Sequence, residues 1–156
     1  MKKIRLAFLM VIWLAWNAYA ESGVIYEKSV HQPMDVVYDT VYKSLEEAGY
    51  YVIFEANMGK SLARNAERWG EDYNRNQLEG IRSMVFCNPW YTNQVSNADP
   101  RMLALCPLSI TIIHKQGVTT ILFERPSVVA EGSPAEELWW EVENDVINAI
   151  EAGLAD

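Results

Sequence analysis

Hydrophobic positions along the chain change period several times, and those changes divide it into elements. In "GVIYEKSV" (23–30), Val24, Tyr26 and Val30 share one parity and predict a first strand. "QPMDVVYDTVYKSLEEAG" follows with Met34, Val37, Val41, Leu45 and Ala48 at spacings of three and four. Pro33 in the first turn and Gly49 at the left-handed C-terminal position complete a predicted helix. "YYVIFE" (50–55) predicts a short, buried second strand. Met58, Leu62, Ala66, Trp69 and Tyr73 then recur at helical spacing, an amphipathic helix that Gly70 can end before Tyr73. "IRSMVFCN" (81–88) predicts a third strand. Residues 89–107 read as loop, with at most a short helix around 100–104. In "LSITIIHKQGVTTILFERP" two β-branched runs flank Lys115-Gln116-Gly117 and predict an antiparallel hairpin. Ser133 and Glu136 stand at capping-box spacing with Pro134 at the first helical position, and Leu138, Val142, Val146, Ala149 and Ile150 form the stripe of a last helix. The order β-α-β-α-β-loop-β-β-α predicts an α+β class: a two-layer domain, a mixed β-sheet of about five strands with helices packed on it.

The N-terminal twenty residues follow a different pattern. Lys2, Lys3 and Arg5 precede an apolar run from Leu6 to Trp16, and Ala18-Tyr19-Ala20 ends it. That is the tripartite form of a secretory signal peptide cleaved after Ala20. An eleven-residue run is well short of the roughly 20 residues that a membrane-spanning helix needs. The expected layout is a signal peptide over 1–20 and a single domain over 21–156, located in the periplasm and not inserted in the membrane after cleavage. With half of its residues apolar, such a length can bury a core.

Charge removes one class of partner. The chain has 13 Lys+Arg against 21 Asp+Glu, and cleavage removes three basic residues, leaving 10 against 21, or −11. Nucleic acid is a poor partner for such a surface, because phosphate binding needs clustered Lys and Arg. Solubility is the plainer use of the acidic excess.

Motifs with chemical content are few. "NMGKS" (57–61) ends like a phosphate-binding loop, but the leading glycine is replaced by Phe54, so these residues read as an ordinary helix start. His31 and His114 stand alone, without metal-ligand spacing. Met34, Met58, Met84 and Met102 are dispersed and fit core filling better than a copper site. No nucleophile elbow is present, and no catalytic residue or cofactor is assigned. Arg125 ends the last predicted strand on the parity of Ile121 and Phe123. Pointing inward, it needs an acidic partner or a bound anion, and at a strand end it is also able to curl out. With Trp90, Tyr91, Asn93 and Asp99 of the predicted long loop, it forms the expected rim of a ligand pocket.

"MVFCNP" followed by "NADPRMLALCPLSITIIHKQGVTTILFERPS" resembles the domain of unknown function 302 family, in its exported bacterial branch. The strand ending in an Asn-Pro turn, the "DP" helix, the "CP" step into a hairpin and the closing "RP" carry the likeness. The resemblance implies a compact α+β domain, commonly a homodimer, with no established activity. Two departures stand out: Cys87 where the family usually has glycine, and Cys106 before its proline. "RWGEDYNRNQLEG" (68–80) also looks inserted. An even cysteine count in an exported chain favours a Cys87–Cys106 disulfide closing the loop, worth roughly 3 kcal/mol by chain entropy. Dithiol redox work and soft-metal binding are the alternatives for the same pair.

Two functions follow as expectations. The first is a non-enzymatic periplasmic domain binding a small anion or a partner protein through the disulfide-framed loop and Arg125. The second is a thiol-redox or soft-metal-handling protein that uses Cys87 and Cys106.

Overall fold

The computed structural model describes residues 23–155, so the expected signal peptide lies outside the described residues. Its strands are β1 (Ile25–Val30), β2 (Tyr51–Asn57), β3 (Gly80–Cys87), β4 (Leu108–Lys115) and β5 (Val118–Glu124). Its helices are α1 (Met34–Glu47), α2 (Met58–Ala63), α3 (Ala66–Trp69), α4 (Pro89–Ala98), α5 (Pro126–Val129) and α6 (Glu136–Ala155). The strands form one sheet in the order β1-β5-β4-β3-β2, and every pair is antiparallel. The α+β class and the five strands stand, and the expectation of a mixed sheet is corrected. No strand enters by a parallel crossover, since β3, β4 and β5 form a meander and β1 and β2 add at opposite edges.

One face of the sheet carries the core. Met84, Phe86, Ile110, Ile112, Ile121 and Phe123 are fully buried beneath Val37, Tyr38, Val41 and Leu45 of α1 and Trp139, Val142, Val146 and Ile150 of α6. The intervening strand residues, Val85, Thr111, Ile113, Thr120 and Leu122, are only half-buried, the alternation an antiparallel sheet with helices on one side requires. The helices α1 and α6 cross closely at Gly153, where an added Cβ would lie 2.9 Å from both Thr40 O and Val41 Cα. The β4–β5 hairpin turns through Gln116 and Gly117 at φ of 51° and 76°, as a two-residue turn with left-handed residues demands.

Three local expectations change. The second strand is an edge strand that exposes Tyr51, Ile53 and Phe54, because β2 pairs only with β3. The expected amphipathic helix after it breaks into α2, α3 and a 3₁₀ turn (Gly70–Asp72), and none of the three buries a residue. The expected loop over 89–107 is helix α4 followed by a 3₁₀ helix (Pro100–Leu105). Asn88 starts α4 by accepting from the backbone N–H groups of Trp90 and Tyr91, with Pro89 in the first turn. Asp99 repeats the device by accepting from Arg101 N, with Pro100 following it. Among the described residues no helix is long and apolar enough to cross a membrane.

Candidate functional site

The two cysteines line one small cavity of about 10 Å³, with Tyr50, Asn88, Tyr91, Thr92 and Trp139. Four elements bring these residues together. Helix α1 ends in a Schellman motif: Gly49 at φ 83° donates to Glu46 O, and Tyr50 N donates to Leu45 O. That reversal turns the Tyr50 ring inward, where it is 1% exposed, edge-on to Phe86 and stacked on Tyr91. Strand β3 ends at Cys87. The first turn of α4 brings Thr92 back over it, and the 3₁₀ helix delivers Cys106 at its C-terminal cap. Trp139 comes from the buried face of α6.

Cys87 and Cys106 are both free thiols, so the expected disulfide is not formed. The physical reason is α4: once that helix fills the supposed loop, Thr92 is presented to both sulfurs. Its hydroxyl lies 3.1 Å from Cys87 Sγ and donates to Asn88 O at 2.9 Å. Either group can be the donor in the contact between Cys87 and Thr92. Burial pushes the Cys106 thiol up, the Thr92 hydroxyl pulls it partly back, and the nearby Cys87 pushes it up again.

Two of the lining residues carry further polar atoms. Tyr50 Oη and Trp139 Nε1 are buried and have no hydrogen-bond partner. By contrast, the buried Ser83, Asp99, Thr119 and Glu143 each make hydrogen bonds. An unpaired buried donor costs about 1–3 kcal/mol. Burial raises the Tyr50 pKa most, and the nearby Asp145 carboxylate and Tyr91 hydroxyl raise it further. Tyr91 donates to that carboxylate at 3.0 Å, and burial together with this bond pushes it up to about 12.

Of the expected ligand rim, Tyr91 lines the thiol cavity and the other residues are dispersed. Trp90 is 65% exposed, and the Asn93 side-chain amide is exposed and donates only to neighbouring Gln94. Asp99 is buried in a two-pronged ion pair with Arg101 at 2.9 and 3.1 Å, which holds its carboxyl below the usual carboxylate range. Arg125 does point inward, and it finds an acidic partner: Nε donates to Glu143 Oε1 at 2.7 Å, and Ser127 N donates to Oε2 at 3.1 Å. This ion pair ties the end of β5 to α6. Asn57, from the rejected phosphate motif, caps α2 by accepting from Lys60 N. Sequence reasoning missed Tyr50, Thr92 and Trp139. Gly49 signalled where Tyr50 would turn, and the three-residue step from Trp139 to Val142 placed Trp139 on the buried stripe. Among the described residues, no group of three or more His, Cys, Asp or Glu is arranged to hold a metal ion.

The family model described as Domain of unknown function DUF302 matches residues 26–153. No curated protein matches the chain at a significant level. Among solved structures, the chain is similar to that of an uncharacterized conserved DUF302 protein from Bacillus stearothermophilus, with a TM-score of 0.70 at 18% identity. The alignment covers 83% of this chain and 97% of that one. At that identity the likeness is one of fold.

Proposed function

The chain belongs to the DUF302 family, and from that premise we propose that it is an exported binding domain whose working site is the pocket between Cys87 and Cys106. The observation that carries the reading is one cavity lined by two free cysteines and by the two residues whose buried donors have no partner. A core that satisfies its other buried polar side chains keeps such a mismatch where a guest compensates for it. Export is supported by the tripartite pattern of residues 1–20. The anion-binding alternative is the weaker reading, because Arg125 Nε already donates to Glu143 Oε1.

Intact mass of protein trapped with an alkylating agent in the periplasm tests the proposal. The expected result is thiols that react fully only after soft-metal chelation or mild reduction. A chain lighter by two hydrogens and resistant to mild reductant would reveal a structural disulfide and end this reading.

A second reading, docking of a periplasmic partner on α4, is favoured by one observation, the 65% exposure of Trp90. A photo-crosslinking residue at position 90 should then give a defined adduct in the exporting cell, and its absence removes the idea.

A further inference from the structure

The donor set of the pocket narrows its guest, and this step rests on the thiol-pocket reading above. We propose that Cys87 and Cys106 together bind one soft monovalent metal ion, Cu(I), as a two-coordinate dithiolate, with Tyr50 Oη and Trp139 Nε1 donating hydrogen bonds to the charged unit.

Ligand number is the first argument. A structural zinc site needs about four ligands, and Ca²⁺ takes six to eight oxygens. Among the described residues this pocket supplies two sulfurs and no third His, Cys, Asp or Glu. Soft thiolates select Cu(I) among the common cellular metals, and that ion is satisfied by two of them.

Size is the second. A cavity of about 10 Å³ admits one atom-sized guest and excludes an organic molecule. A metal also suits a pair of thiols that has not closed a disulfide. Two metal–sulfur bonds of about 2.3 Å bridge sulfurs well beyond the 2.05 Å or so of a direct bond.

Charge is the third. Two thiols and Cu(I) give a bis-thiolate complex of net charge −1, with two protons released to solvent and no change in oxidation state. The pocket lining holds no Lys or Arg to balance that charge. It includes instead Tyr50 and Trp139, both at least 99% buried, whose Oη and Nε1 have no hydrogen-bond partner. Hydrogen bonds from such groups stabilise thiolate sulfur without adding a cation. Thr92 completes the set: its hydroxyl, which now donates to Asn88 O, turns to donate to a sulfur once the Cys87 proton has left.

The test is an anaerobic titration of the reduced exported protein with Cu(I) against a chromogenic Cu(I) chelator, followed by native mass spectrometry. One copper per chain is expected, at a mass increase of one copper less two protons. Cys87→Ser and Cys106→Ser should each weaken binding by more than the roughly 10–100-fold typical of outer-shell changes, and Tyr50→Phe by about 10-fold. Melting curves check that each variant folds. If a cysteine variant does not, Ag(I) displacing Cu(I) one for one from the unmodified protein replaces its evidence. Free, alkylatable thiols that leave all copper with the chelator would overturn the metal proposal while leaving the thiol pocket standing. Undiminished binding in a folded Cys106→Ser variant, or Zn²⁺ competing equally, would also overturn it. A disulfide that resists mild reductant in the protein as isolated would overturn both readings.

Discussion

Removing one oxygen atom from the interior, by Tyr50→Phe, should make the metal-free protein more stable. The Tyr50 side chain is 1% exposed, and its hydroxyl has no hydrogen-bond partner. Such a group costs about 1–3 kcal/mol relative to one left in water. The substitution keeps the ring contacts, edge-on to Phe86 at 6.0 Å and stacked on Tyr91 at 6.3 Å. It forfeits only the dispersion contacts of one oxygen beside an existing small void, a fraction of a kcal/mol. The net gain is about 1 kcal/mol, or roughly 3 °C in melting temperature for a chain of this size. Urea unfolding with reductant and a metal chelator present measures it as a higher midpoint at unchanged slope. A loss of about 1 kcal/mol or more would refute the reasoning, because it would mean the hydroxyl is already satisfied. An ordered water, or the nearby Asp145 carboxylate, would then be its partner, and the pocket would lose one of its two waiting donors.

Three other outcomes follow from the same structure. Arg125→Met strands the Glu143 carboxylate in the core, where Ser127 alone still donates to it. The cost should be about 3 kcal/mol, and Arg125→Met/Glu143→Leu should recover most of it; additive losses in the double variant would show that the pair is not coupled. Gly153→Ala presses a methyl group onto the backbone of α1 and should cost about 2 kcal/mol in thermal unfolding, while an unchanged melting curve would show that the two helices can part freely. The Glu151 carboxyl is held below its usual 4.5, first by the Tyr26 hydroxyl and then by Lys28. Its folded pKa is the lower one, so its contribution is present above pH 4.5 and fades as pH falls below it. Glu151→Gln should therefore flatten the acid limb of a stability–pH curve, and an unaltered limb would assign that limb to other carboxyls.

Most of the fold was legible because its signals are local. The hairpin declared itself by β-branched runs around Gly117, and α1 by its stripe and by Gly49, whose φ of 83° only a glycine takes up easily. Where reading failed, a local signal had two meanings. Asn88-Pro89 looked like a chain break, yet Asn at the cap and Pro in the first turn also begin a helix, and here they do. "YYVIFE" is as apolar as a central strand, and only its single pairing partner makes it an exposed edge. The spacing of Met58, Leu62, Ala66, Trp69 and Tyr73 suited a helix, but the chain turns at Asn65 and reaches φ 51° at Gly70.

The site was half legible for a related reason. Cys87 and Cys106 could be linked from sequence, because each adjoins an Asn-Pro or Pro step at the end of one segment. Tyr50 and Trp139 could not, since they come from the end of α1 and from α6 and meet the cysteines only through tertiary packing. Of the neighbours Trp139 and Trp140, helix phase alone buries the first at 1% exposure and leaves the second at 60%. A rim argued from loop composition therefore picked exposed or already paired groups, and the buried donors stayed hidden. That asymmetry bears on function. Asp99 and Arg125 look reactive in sequence, but their charges are used up in ion pairs with Arg101 and Glu143. Tyr50 and Trp139 look like ordinary core aromatics, and it is their polar atoms that the fold leaves unused beside two thiols. Local rules and global structure disagree at that point, which is where a working site is to be sought.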